Sequence, residues 1–113
     1  MVMNADEIRD LVWSQLSSAW DTSNAHGVNL QQALVPPEPI TVIERTVRDG
    51  RMVDRLVDVW LVLVEDAKSG TGYRVVAAKD GSLFGLATKG FPGDKHLVLC
   101  GWYGDFVTTL QDM

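Results

Sequence analysis

The stretch "TVIERTVRDGRMVDRLVDV", Thr41 to Val59, most constrains what this chain can fold into. Two runs with apolar residues at alternating positions flank Asp49-Gly50. Successive side chains of a strand point to opposite faces. An Asp-Gly pair between two such runs favours a type I′ turn, whose two central residues both need positive φ. A two-residue loop fixes the register of the strands expected over 40–48 and 51–65. Arg48 then faces Arg51, Val47 faces Met52, Arg45 faces Asp54, Glu44 faces Arg55 and Val42 faces Val57. Two of these pairs join opposite charges. Each is worth only about 0.2–1 kcal/mol when exposed, so they support the register more than the stability. One face of the hairpin collects Ile40, Val42, Val53, Val57 and Val59. The other carries Ile43, Val47, Met52, Leu56 and Trp60, with Arg45, Asp54 and Asp58 among them.

The same signal recurs at Asp80-Gly81, between Tyr73–Lys79 and Ser82–Thr88. That register pairs Ala77 with Phe84, Val75 with Leu86 and Tyr73 with Thr88, a strongly apolar face expected to meet a helix. The opposite face is mixed: Arg74, Val76, Ala78, Leu83, Gly85 and Ala87. "HLVLCG", His96 to Gly101, reads as a short last strand. Upstream, Asn4 and Glu7 have the spacing of a capping box. Ile8, Leu11, Val12, Leu16, Ala19 and Trp20 then recur at helical spacing, predicting a helix over 5–22. His26-Gly27 is its expected stop, and "NLQQAL", 29–34, is read as a further turn or two. The prolines of "VPPEP", 35–39, end that helix and mark a stiff linker. Asp105 is placed to cap a final helix over 106–113, with Phe106, Val107 and Leu110 on one side.

Helix, strands, then a short helix predict an α+β fold. The expected architecture is an N-terminal helix packed on a four- to five-stranded antiparallel meander sheet, with a short C-terminal helix. This outline is similar to that of the cystatin-like and nuclear-transport-factor-like cones. A length of 113 residues suits one domain, residues 1–113.

Composition narrows the function classes. The 15 acidic and 10 basic residues give a net charge of −5, which argues against a nucleic-acid partner, since that role needs a basic footprint. The longest apolar run, Val59–Val64, is far shorter than the roughly 20 residues a membrane helix needs. The first ten residues lack the basic and apolar regions of a leader. Cys100 is the lone cysteine, so no internal disulfide or cysteine metal cage forms. A cytoplasmic location follows as an expectation.

No residue pattern points to catalysis. Cys100 and His96 share a strand face but are four residues apart, roughly 13 Å at strand rise, too far for a nucleophile–base dyad. Asp54 and Asp58 share a face as paired carboxylates, but Arg45 and Thr41 face them across the hairpin, which reads as a solvated rim. "GTG", "GSLFG" and "GFPG" lack the spacing of a phosphate loop and read as turns, with Gly85 inside a strand marking close approach by another group. Two isolated histidines, His26 and His96, make no metal site. The expectation is therefore no catalytic residue, no cofactor and no metal.

The second hairpin face poses the functional question. From Val59 to Val64 every side chain is apolar, so both strand faces need cover. The final helix offers too few apolar side chains to cover Leu56, Trp60, Val62, Val64 and their neighbours alone. Tryptophan and tyrosine are enriched where surfaces meet partners, and "GWYGDF" is the densest aromatic cluster. The expected interface comprises Leu56, Trp60, Val62, Val64, Trp102, Tyr103 and Phe106. The expected function is a protein–protein interaction module: a homodimer, or an adaptor, inhibitor or immunity-type binder. The alternative is a small-molecule-binding cone between helix and sheet, with an enzyme ranked behind it.

Overall fold

The structure is a computed structural model that describes residues 2–16, 33–65 and 72–111. Helix α1 spans Ala5–Leu16. Five strands follow: β1 Leu34–Arg48, β2 Arg51–Val64, β3 Arg74–Ala78, β4 Phe84–Thr88 and β5 Leu97–Gly104. Helix α2 spans Phe106–Gln111. The class is α+β, as the element order predicts. The remainder of the expected first helix (17–22), His26-Gly27 and residues 29–32 lie outside the described residues.

The sheet is a closed barrel in the order β1-β2-β3-β4-β5, not the open meander expected. Neighbouring strands run antiparallel, so the first and fifth run in the same direction. The pair that closes the ring must therefore be parallel, and it is short: Val42 with Leu97 and Ile43 with Val98. Asp49 and Gly50 have φ of 52° and 74°, as the type I′ reading requires. All five expected cross-strand pairs of that hairpin are present. The second hairpin keeps its expected register, with Val75 opposite Leu86 and Ala77 opposite Phe84. Its turn differs, because only Gly81 of the Asp80-Gly81 pair has positive φ. The Asp80 carboxylate accepts the Ser82 N–H at 3.0 Å and its hydroxyl at 2.6 Å, which opens the loop. The expected linker 35–39 belongs to β1. The register shifts between Leu34 and Glu38, and prolines are tolerated in a strand at such irregularities.

Closure buries both faces of the apolar run. Val42, Val59, Val76, Ala87 and Leu99 are buried together inside the barrel, with Ile40, Val57, Leu61, Leu97 and Trp102 packed around them. The helices cover part of the outside. Ile8 and Val12 of α1, with Phe106 and Leu110 of α2, pack on Val62, Leu63, Val75, Ala77, Phe84 and Leu86. Trp60 packs at the margin of this layer, because β2 pairs Trp60 with Ala77. Its face is thus the helix-covered face of the second hairpin. Val76, on the mixed face of the second hairpin, points into the barrel.

Local chemistry fixes both helices. The Glu7 N–H donates to Asn4 Oδ1 at 2.9 Å and the Asn4 N–H to Glu7 Oε1 at 3.1 Å, the reciprocal capping box. Asp105 Oδ1 accepts the Thr108 N–H at 2.8 Å. Gln15 Oε1 of α1 accepts the Phe106 N–H at 2.6 Å, tying the helices together. The Phe106 ring meets Phe84 edge to face at 5.5 Å. The buried Thr109 hydroxyl is satisfied by the Asp105 and Phe84 carbonyls. Gly85 is the close approach its position suggests: a Cβ there would lie 2.5 Å from the Gly101 carbonyl oxygen and 3.0 Å from the Trp102 ring.

Candidate functional site

Strands β1 and β2, of 15 and 14 residues, outrun β3 and β4, of 5 each. Among the described residues, β1 pairs with β5 no further than Ile43, and β2 pairs with β3 only from Val59 onward. The distal hairpin therefore projects as a two-stranded arm, with Glu44 to Arg48 adding roughly 16 Å of strand. Strand alternation sorts its side chains. On the outer face Ile43 pairs with Leu56, Arg45 with Asp54 and Val47 with Met52. Ile43 is buried, but Leu56, Val47 and Met52 are 62%, 71% and 57% exposed.

At the centre of this strip sits Arg45. Its Nε and Nη2 donate to the two Asp54 carboxylate oxygens at 2.8 and 2.9 Å. Its Nη1 and Nη2 also donate to the two Asp94 oxygens at 3.2 and 3.0 Å. The two-sided grip leaves the Arg45 side chain 15% exposed. Hydrogen bonds donated to Asp54 first, then to Asp94, hold the guanidinium more firmly protonated than usual. The same bonds hold both carboxyls below their ordinary pKa. Asp94 Oδ2 also accepts the Phe91 N–H at 2.8 Å, and the Arg45 guanidinium lies 5.3 Å from the Phe91 ring centre. Phe91 itself is 65% exposed. One guanidinium thus anchors the loop before β5 to the arm and sets a fourth apolar side chain beside the strip.

The sequence-predicted interface residues separate. Leu56 lies on the arm. Trp60 is half-buried, its Nε1 buried without a hydrogen-bond partner and its ring 4.2 Å from Lys79 Nζ. Val62 and Phe106 are buried beneath the helices. Val64, Trp102 and Tyr103 are half-buried at the far end of β2 and on β5. The geometry does not bring the seven into one surface. Phe91 and Asp94 escape the sequence reading because no local pattern links a loop residue to Arg45, 46 and 49 positions earlier. Only the parallel β1–β5 pairing does that.

Asp54 is committed to Arg45, and Asp58 accepts the Thr41 hydroxyl at 2.9 Å. Cys100 is exposed. Partial desolvation pushes its thiol pKa up, which disfavours the nucleophilic thiolate. Among the described residues, no three His, Cys, Asp or Glu side chains form a metal-holding group, and no helix is long and apolar enough to cross a membrane. The chain matches no protein-family model, no curated protein and no solved structure.

Proposed function

We propose that this chain is a protein–protein interaction module whose contact surface is the outer face of the β1–β2 arm. The observation that carries the reading is the cluster of Val47, Met52 and Leu56 on one strand face, bordered by Phe91, all four more than half exposed. Contiguous exposed apolar side chains rimmed by polar groups mark interaction sites. The occupant is a second copy of the chain. Apolar side chains bracket a guanidinium whose hydrogen bonds to Asp54 and Asp94 are made within the chain, so two such faces can meet through their apolar side chains without leaving Arg45 unpaired. An isologous contact of this kind is the commonest protein assembly. The interior of the barrel is filled by valine, alanine and leucine side chains, which favours the surface reading over a ligand-holding cone.

Sedimentation velocity over a tenfold concentration range tests the proposal. The wild-type chain is expected to sediment as a dimer, and Met52→Asp as a folded monomer. A wild-type monomer at every concentration would remove the second copy as occupant. A dimer that survives Met52→Asp would move the contact elsewhere.

A further inference from the structure

A shallow cleft of about 620 Å³ lies where β1, β2 and the start of β5 meet. Its walls include Thr41, Asp58, Lys79, Lys95, His96 and Leu97. Residues 89–97 line an adjoining groove of about 470 Å³. The lysines of the chain are Lys68, Lys79, Lys89 and Lys95, and the last three all line the cleft or the groove. This concentration of cations stands out in a chain of net charge −5. Of the two carboxylates in these walls, Asp94 is paired with Arg45, which it shares with Asp54, and Asp58 has its Oδ1 turned to Thr41. Lys79 is steadied by the Trp60 ring at 4.2 Å, a cation–π contact that holds the ammonium in place without consuming its hydrogen bonds. Pro39, Ile40 and Leu97 supply an apolar wall beside the cations. Apolar walls with a few convergent polar groups, in a volume of about 300–1,000 Å³, describe small-molecule sites in general.

From this juxtaposition we infer that the cleft binds a small organic oxyanion, a carboxylate or phosphate ester. Its anionic group lies among Lys79, Lys95 and His96, and its carbon body lies against Ile40 and Leu97. Asp58 keeps a second oxygen available for a hydroxyl or amine on the same molecule. The anion site itself, among Lys79, Lys95 and His96, includes none of Val47, Met52, Leu56 or Phe91 of the arm contact.

The probes are inorganic phosphate and succinate, each titrated into the ¹⁵N-labelled full chain at ionic strength held constant with sodium chloride. Saturable amide shifts confined to residues 40, 41, 79 and 95–97 are expected with at least one probe. Lys79→Gln and Lys95→Gln should each weaken that binding by about tenfold, the scale of one lost charge-assisted contact. The spectra also report whether each variant is folded. Phosphate or succinate acting alone identifies the preferred anion class. Shifts that rise linearly and match those given by chloride, saturable shifts centred elsewhere, or an affinity unchanged in both variants would each overturn the inference.

Discussion

Strand β2 presents one outer face to two different environments. Near the barrel, Val62 is buried beneath α1 and α2, and Trp60 packs against the same layer. Toward the hairpin tip, Leu56 and Met52 stand open. Residue type does not distinguish the two ends, because both carry large apolar side chains. What differs is reach: the helices cover only the part of β2 that pairs with β3. An apolar strand therefore reveals a need for cover, and the tertiary structure decides where that need is met.

The largest effect that could break this contrast is at Phe106. It is buried and stacked edge to face on Phe84, so Phe106→Ala should cost about 3–5 kcal/mol in urea unfolding. The short final helix is thus core rather than peripheral, despite offering few apolar side chains. Met52→Ala, an equally drastic truncation on the open end, should stay within about 0.5 kcal/mol at concentrations where the chain is monomeric. A costly Met52→Ala under those conditions would mean that the arm is covered within the chain.

A smaller effect sharpens the account of the arm's centre. Asp54 and Asp94 have lowered pKa values because Arg45 donates hydrogen bonds to their ionised forms. A lowered folded pKa adds stability that is complete above the unfolded value, near 4 for aspartate, and lost as pH falls through the folded value. Thermal melts should therefore show an acid loss below about pH 4 that is smaller in Asp94→Asn, whose pH 7 melting temperature is already reduced. Equal acid losses in both chains would show that Arg45 and Asp94 are not coupled in solution.

How far the sequence anticipates this structure follows from the range of each signal. Asp49-Gly50 sets every pair from Ile40–Val59 to Arg48–Arg51, because a two-residue turn leaves no freedom in the register. The Asn4–Glu7 cap is equally local. Barrel closure is not local, since it rests on a parallel pairing between segments more than 50 residues apart. The placement of Trp60 depends on the β2–β3 register, which no two-residue turn fixes and which shifts between Leu61 and Leu63. That is why the helix-covered face could be recognised at Val75, Ala77, Phe84 and Leu86 but not extended to Trp60. Of the candidate contact, Leu56 with its neighbours Val47 and Met52 follows from alternation. Phe91 and Asp94 depend on the closure that places their loop beside Arg45.

The most direct test of a divided outer face is the urea unfolding midpoint of Leu56→Asp beside that of Val62→Asp, measured on monomeric protein. Leu56→Asp should unfold within about 0.5 kcal/mol of the parent, whereas Val62→Asp, which buries an unpaired carboxylate, should lose more than about 3 kcal/mol. Comparable losses in the two variants would contradict that division, because Leu56 would then be as deeply covered within the chain as Val62.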